Sequence, residues 1–168
     1  MKTLAEQMAI YGAYHRNPWN RLTHFIGVPV IVFSLLIPLS WLRVGLGPLE
    51  ITAAMLVVGA MLLYYLLLDW RVGLLMVLML GGILYLSDWV ARSFAESTVW
   101  VICGFAFIGG WALQLLGHVF EGRRPALVDN LWQIFVAPIF LAAEVYFMFG
   151  ARSELRNDVE SRIQSASN

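Results

Sequence analysis

The chain has 168 residues and no formal net charge; 60% of its residues are apolar, 13% are charged, and its mean hydropathy is +0.74. Soluble domains are much less apolar, so this composition predicts a single-domain, all-α integral membrane protein built as a polytopic helical bundle. The zero net charge argues against a nucleic-acid partner, and the lone cysteine, Cys103, excludes an internal disulfide.

An amphipathic helix is predicted at the N-terminus. Thr3 and Glu6 have the spacing of a capping box, which starts a helix. The apolar face of this helix has helical spacing and consists of Leu4, Met8, Tyr11 and His15. Asn17 and Pro18 end this helix and start the next one, with Asn17 as the N-cap and Pro18 in the first turn. We therefore expect His15 to continue the apolar face instead of pointing into water.

The second helix leads from a polar stripe into an apolar run. Asn20, His24 and Gly27 fall on one face at helical spacing. Because Gly27 has no side chain, it leaves room beneath the imidazole for another backbone or a ligand. Four apolar segments follow, each predicted to be a transmembrane span: Phe25 to Trp41, Ile51 to Leu68, Val72 to Leu86 and Val99 to Gly117.

The last apolar stretch, Leu127 to Phe149, is long enough to be a fifth span. However, it contains a central proline and several polar residues, namely Asp129, Asn130, Gln133, Pro138 and Glu144. With only four spans, nine of the eleven lysines and arginines lie on one side of the membrane, and only Arg43 and Arg92 lie on the other. The positive-inside rule favours this arrangement, with both termini cytoplasmic. We therefore predict four spans plus a re-entrant or interfacial segment broken at Pro138.

The predicted organisation of the single domain (1–168) has four parts. The N-terminal helix and first histidine block occupy residues 1–24, and the four spans occupy residues 25–117. The second histidine block and the re-entrant segment cover residues 118–150. A polar tail, either frayed or a short surface helix, covers residues 151–168.

The four-span topology predicts that the three histidines meet. His24 precedes the first span and His118 follows the fourth, so an even number of crossings places both at the same membrane face, with His15 one turn away. Gln114, His118 and Glu121 form one stripe, and Gly122 provides a helix stop. A histidine at a helix end is commonly only a hydrogen-bonded interfacial residue. Here three histidines lie on apolar-facing stripes at one membrane face, so a metal site and a structural role are equal alternatives.

Several metals and several accessory roles fit these residue types. Imidazoles suit iron, zinc, copper or nickel, and three of them leave positions open for other ligands. Glu121 could add a carboxylate ligand or orient His118, and Asp129, Asn130 and Glu144 are alternatives. The arginines near these blocks either attract an anionic substrate or anchor the chain at the membrane face: Arg16, Arg21, Arg123 and Arg124.

At its two histidine blocks the chain resembles the membrane 2-hydroxy fatty acid dioxygenases. The resemblance runs from Met8 to about Phe149, and the residues that carry it are His15, Asn20, His24, Gly27, Pro29, Gln114, Gly117, His118, Glu121, Pro125, Ala126, Leu127, Asp129, Asn130, Pro138 and Glu144. It implies an Fe(II)-dependent α-oxidation in which a 2-hydroxy fatty acid and O2 give the one-carbon-shorter acid and CO2. The implied metal ligands are His15, His24 and His118, with Asn20, Gln114 and Glu121 as candidate catalytic residues.

Two other function classes remain open from the residues alone. A small membrane transporter or assembly factor would use the histidines as structural or proton-relay groups, but it would be expected to carry ionisable residues inside its spans. A haem protein would need paired histidines within spans, not at their ends. The expected location is a bacterial inner membrane, or the endoplasmic reticulum in a eukaryote, with the site on the cytoplasmic side; the oligomeric state is left open.

Overall fold

The computed structural model describes residues 2–125 and 131–165. In chain order its elements are α1 (Leu4–Gly12), α2 (Pro18–Trp41), β1 (Arg43–Leu46), β2 (Leu49–Thr52), α3 (Ala53–Leu68), α4 (Trp70–Ser93), α5 (Glu96–Glu121), α6 (Gln133–Met148) and α7 (Ser153–Ser165). The predicted all-α membrane bundle is confirmed. The expectations for Asp129 and Asn130 lie outside the described residues.

Three of these helices are long and apolar enough to cross a membrane: α2, α4 and α5. The second predicted span, α3, has 16 residues and therefore a length of about 24 Å, which is shorter than the roughly 30 Å hydrocarbon layer. Exposed apolar side chains cover the outer surface of these helices, for example Leu67, Leu78 and Phe105. Such an outer surface is the one that lipid would cover.

Local signals define most helix ends as predicted. The Thr3 side chain and the Glu6 carboxylate complete the capping box of α1, and Asn17 caps α2 with Pro18 in its first turn. Gly122 ends α5 in the left-handed conformation, with φ at 70°. The helix α1 itself ends at Gly12, before the predicted Asn17, and the chain continues through turns.

A short antiparallel hairpin joins α2 to α3 and was not predicted. In this hairpin Arg43 lies opposite Thr52 and Leu46 lies opposite Leu49, and Gly47 takes the positive φ of 65° that the turn needs. Because the hairpin follows the C-terminal end of α2, it lies at the end of the bundle away from the histidines.

The α6 helix lies along one end of the bundle instead of crossing it. Near its start the carbonyl of Phe135 accepts a hydrogen bond of 2.7 Å from Tyr65, and near its end Tyr146 donates one of 3.0 Å to the carbonyl of Arg71. Both partners flank the α3–α4 connection. The helix runs through Pro138 without a break, in contrast to the predicted break there, and the chain bends by 119° between α6 and α7.

The α7 helix packs against α1, so the polar tail is a helix and not a frayed end. Arg162 pairs with Glu6 at 3.5 Å, and Ile163 contacts the surface next to Gly12. At the bend Gly150 and Arg152 both have positive φ, and Arg152 forms an ion pair with Asp69 at the α3–α4 connection.

The helices α2 and α5 pack closely at three glycines. A Cβ on Gly27 would lie 2.5 Å from Gln114 Nε2, and one on Gly110 would lie 2.7 Å from Ile31 Cγ1. A Cβ on Gly117 would lie 2.5 Å from Asn20 Oδ1. These glycines therefore let the two histidine-bearing helices approach closely.

Candidate metal centre

Three buried imidazoles meet where α1, α2 and α5 converge. His15 lies in the connection after α1, His24 in the second turn of α2 and His118 in the last turn of α5. Their exposed fractions are 1%, 3% and 7%. The ring centroid of His15 is 4.5 Å from that of His24, and both are 5.1 Å from that of His118. One ring nitrogen of each lies within 4.8 Å of the others. The convergence that the even number of crossings predicts is therefore present.

Backbone carbonyls determine the protonation of two rings. His15 Nδ1 lies 2.8 Å from the carbonyl of Tyr11, and His24 Nδ1 lies 2.8 Å from the carbonyl of Asn20. Since a carbonyl can only accept, both Nδ1 atoms carry a proton. In neutral rings the Nε2 atoms then have free lone pairs, and these two atoms face each other at 3.1 Å. Two lone pairs at this distance repel unless a cation lies between them.

The histidine environment suits a metal ion. Burial, together with the neighbouring His24, lowers the pKa of His15 to about 3, so its ring is neutral at physiological pH. Two nitrogen ligands about 2.1 Å from one ion and roughly at right angles lie about 3 Å apart, close to the separation of the two Nε2 atoms. In addition, His118 Nδ1 is buried without a hydrogen-bond partner among the described residues. The residues therefore fit a cation held by three imidazoles.

The Glu121 carboxylate binds the loop that carries His15 to the helix that carries His118. Its Oε1 accepts from the backbone N–H of Arg16 at 3.0 Å, and its Oε2 accepts from the N–H of Asn17 at 2.8 Å and from Asn20 Nδ2 at 2.9 Å. Within the described residues, the potential ligand cluster contains the three histidines and no carboxylate. Glu121 therefore connects the His15 loop to α5, and none of its hydrogen bonds goes to the His118 ring within the described residues.

The other charged candidates lie outside the histidine cluster. Arg21 donates from Nε to the carbonyl of His15 at 2.8 Å and pairs with Glu144 at 3.0 Å, so Glu144 supports the His15 loop from α6. Arg16 and Arg123 line a separate surface groove beside α1 and α7.

An apolar pocket opens onto the three imidazoles. Its empty volume is about 650 Å³, including its open side. Its walls come from α1, α2, α5 and α6 and from the residues next to them: Tyr11, His15, His24, Val28, Ile31, Val32, Leu35, Trp111, Gln114, His118, Pro125, Gln133, Ile134 and Ala137. Neither lysine nor arginine is among these described lining residues. The pocket thus has a polar end, at the imidazoles, and mostly apolar walls.

One pocket residue, Gln133, is not among the site residues predicted from the sequence. It lies in the first turn of α6 and is buried, and its Oε1 has no hydrogen-bond partner within the described ranges. A polar residue within an apolar stretch is the signal in the sequence that could have identified it as a site residue. The position of α6 beside the pocket, however, depends on tertiary contacts that the sequence pattern does not display.

Comparison with known proteins decides the family. The model of the Mpo1-like family, described as 2-hydroxy-palmitic acid dioxygenase Mpo1-like, matches residues 1–149. The chain belongs to the Mpo1-like family. The resemblance stated from the two histidine blocks is thereby confirmed.

A curated relative in the same family is the 2-hydroxy-palmitic acid dioxygenase MPO1 of Saccharomyces cerevisiae. It is 34% identical to this chain over 165 residues, which cover 96% of this chain and 90% of the relative. No solved structure matches the chain. The similarity therefore extends over the whole bundle, including both histidine blocks.

Proposed function

We propose that the chain is an iron(II)-dependent dioxygenase that shortens 2-hydroxy fatty acids by one carbon. The reaction converts a 2-hydroxy acid and O2 into the one-carbon-shorter acid, CO2 and water, and it is balanced without any other reductant. The name of the yeast relative supports the substrate class. The observation that carries the proposal is the cluster of three buried imidazoles at the end of an apolar pocket.

The chain's own residues would hold and orient the ion. His15, His24 and His118 would be its ligands, and bound iron(II) would supply the redox chemistry with O2 that side chains lack. The Tyr11 and Asn20 carbonyls keep the Nε2 lone pairs of His15 and His24 pointing inward. The Tyr11 ring also stacks on His15, with a centroid distance of 4.0 Å and an interplanar angle of 7°, which restricts rotation of that imidazole.

The pocket would hold the acyl chain and exclude water. From His24 to Leu35 the wall of α2 extends for about 16 Å and presents Val28, Ile31 and Val32 to the pocket. Burial of this length of hydrocarbon against apolar side chains would place the carboxyl end at the histidines. Since α2 and α5 are membrane helices, such a substrate would reach the pocket within the bilayer. By the positive-inside rule, the site would face the cytoplasm.

The proposal is tested by measuring iron in detergent-purified protein and in its His15→Ala, His24→Ala and His118→Ala variants. We expect near-stoichiometric iron in the wild type and a loss in all three variants, because each removes one ligand of a shared site. Ser87→Ala, a buried polar change in α4 toward the end away from the site, is the control and should keep its iron. Thermal unfolding of each variant would separate loss of a ligand from loss of the fold.

The same samples would be assayed for CO2 release from 2-hydroxypalmitate labelled at its carboxyl carbon. Release by the wild type and by Ser87→Ala, but by none of the histidine variants, is the expected result. A protein that binds no metal after anaerobic Fe(II) reconstitution, or that binds iron and releases no CO2, would contradict the dioxygenase. The first of these results would favour the transporter or assembly factor.

A further inference from the structure

Two buried glutamine side chains line the pocket, and each has one polar atom without a hydrogen-bond partner among the described residues. Gln114 lies one turn before His118 on α5, and Gln133 lies in the first turn of α6. Their exposed fractions are 7% and 5%, and both line the pocket that holds the imidazoles. Gln114 Nε2 and Gln133 Oε1 make no hydrogen bond in the part of the chain that the structure describes.

This pairing of burial and missing partners is unusual. Nearly all buried amide groups in folded proteins are hydrogen-bonded, because loss of hydration is not otherwise compensated. Many of the side chains around the pocket are aliphatic, for example Val28, Ile31 and Ala137, and cannot donate or accept. A ligand with its own polar end is the partner that would satisfy both amides.

The position of Gln114 is determined by close packing. Its Nε2 lies only 2.5 Å from where a Cβ on Gly27 would be, so the amide rests directly on the backbone of α2, three residues after His24. Any side chain on Gly27 would displace it. The amide is therefore held in the pocket that the imidazoles line, and its Nε2 makes no hydrogen bond to the residues that the structure describes.

We propose that Gln114 and Gln133 recognise the two polar groups of the substrate's head. An ionised carboxylate only accepts hydrogen bonds, so it matches the donor at Gln114 Nε2; the 2-hydroxyl is the only donor on the head, so it matches the acceptor at Gln133 Oε1. No arginine or lysine lines the described pocket to take this role. Gln133 thus selects 2-hydroxy acids over unsubstituted acids, and this assignment rests on the proposed function.

The two assignments predict different binding losses. Anaerobic, iron-loaded protein would be titrated with radiolabelled 2-hydroxypalmitate and palmitate, so that affinity is measured without turnover. Gln133→Met should weaken 2-hydroxypalmitate binding about tenfold and change palmitate binding less than about twofold, because only the first ligand has the hydroxyl. Gln114→Met should weaken both ligands about tenfold or more, because both carry the carboxylate. Methionine keeps the length of the unbranched side chain.

Thermal unfolding supplies a second readout and a matched control. Gln7 on α1 is as buried as Gln133, but its amide is satisfied by Tyr64 and by the carbonyl of Lys2. Gln7→Met should therefore lower the melting temperature and leave both affinities unchanged. Gln114→Met and Gln133→Met should keep or raise the melting temperature, because neither unpaired atom loses a protein partner.

Each result decides the inference. It is overturned if Gln133→Met keeps the wild-type preference for 2-hydroxypalmitate, or if Gln114→Met binds both acids at full affinity. It is also overturned if either variant loses binding together with its thermal stability, as a structural role requires. The proposed function then stands on the CO2 assay of the wild type. A wild type that binds neither acid, or both equally, overturns the inference as well, and CO2 release again decides the proposed function separately.

Discussion

The two ends of the bundle differ in how completely their polar groups are paired. At the hairpin end, Arg43, Glu50, Asp88 and Arg92 form a continuous set of ion pairs in which each charge has a partner. At the histidine end, four buried polar atoms have no hydrogen-bond partner among the described residues: Asn20 Oδ1, Gln114 Nε2, His118 Nδ1 and Gln133 Oε1.

The difference shows at which end the fold leaves buried polar atoms without partners among the described residues. The hairpin network is at least partly exposed, so water can replace any lost pair at little cost in free energy. The unpaired atoms at the other end are desolvated, and each costs stability unless something from outside the chain satisfies it. We therefore expect substitutions at the histidine end to change ligand binding and substitutions at the hairpin end to have little effect.

The largest effect is expected for Gly117→Ala. The new Cβ would overlap Thr23 Oγ1 and approach Asn20 Oδ1, so α5 would have to move away from α2 and separate His118 from His24. Overpacking of this kind costs about 1–3 kcal/mol in the free energy of unfolding. Iron content and thermal unfolding would both be measured, and iron affinity should fall by about 10- to 100-fold.

Gly109→Ala is the matched control for that change, because no atom outside its own helix lies within 4 Å of where its Cβ would be. It should leave iron binding unchanged and stabilise the helix slightly. Equal effects of Gly109→Ala and Gly117→Ala would show that close packing at Gly117 does not position the histidines.

A smaller effect is expected for Glu121→Gln. One oxygen becomes an NH2 group that faces backbone N–H donors, so the attachment of the Arg16 and Asn17 backbone to α5 weakens. We expect about 1–2 kcal/mol lower stability and about tenfold weaker iron binding, measured by chemical unfolding and competition with a chelator. Glu96→Gln, at the other end of α5, is the control. Unchanged iron affinity in Glu121→Gln would contradict the positioning role.

A pH-dependent effect is expected at Asp69, which is also at the histidine end. Burial alone would raise the pKa of Asp69, but hydrogen bonds from Arg152 and from the N–H of Val72 outweigh it and hold this pKa below its ordinary value. Because the pKa of Asp69 is lower in the folded than in the unfolded chain, the ionised carboxylate stabilises the fold at pH values above the unfolded pKa of about 3.9. This stabilisation is lost as the pH falls through the folded pKa. The melting-temperature difference between wild type and Asp69→Asn should therefore be largest near neutral pH and shrink below about pH 4. A difference that grows on acidification would have the wrong sign.

The smallest effect is expected at the hairpin end. Asp88→Asn removes a carboxylate that Arg92 contacts at 2.7 Å and Arg43 at 3.3 Å. The pairs are partly solvated, so the free energy of unfolding should change by less than about 1 kcal/mol. Iron content and CO2 release should match the wild type. A loss of either would show that the two ends are coupled.

Much of the site follows from local patterns in the sequence. The caps at Thr3 and Asn17, the stop at Gly122 and the parity of the crossings suffice to bring His15, His24 and His118 to one face. These features depend on residue spacing and on the period of the α-helix, which a single sequence displays directly.

The rest depends on contacts between distant segments. The partners of Glu121 are backbone N–H groups of Arg16 and Asn17, and no residue type identifies a backbone donor in advance. The proposed role of Gln133 depends on α6 lying along the bundle end. There α6 packs into the apolar core, and Tyr65 and Tyr146 add hydrogen bonds to backbone carbonyls. The short β1–β2 hairpin lacks the long alternating pattern that predicts strands.

The hydrogen bonds from the Arg16 and Asn17 backbone to Glu121 also have a consequence for biosynthesis. They join residues up to 105 positions apart, and membrane helices enter the bilayer in chain order. Until α5 is in place, the nascent chain holds two imidazoles with no third ring and no carboxylate to anchor their loop. Closing so long a stretch of chain has an entropic cost that the packing of α5 must offset. Under the proposed function we therefore expect the metal to load late, only after α5 has been inserted.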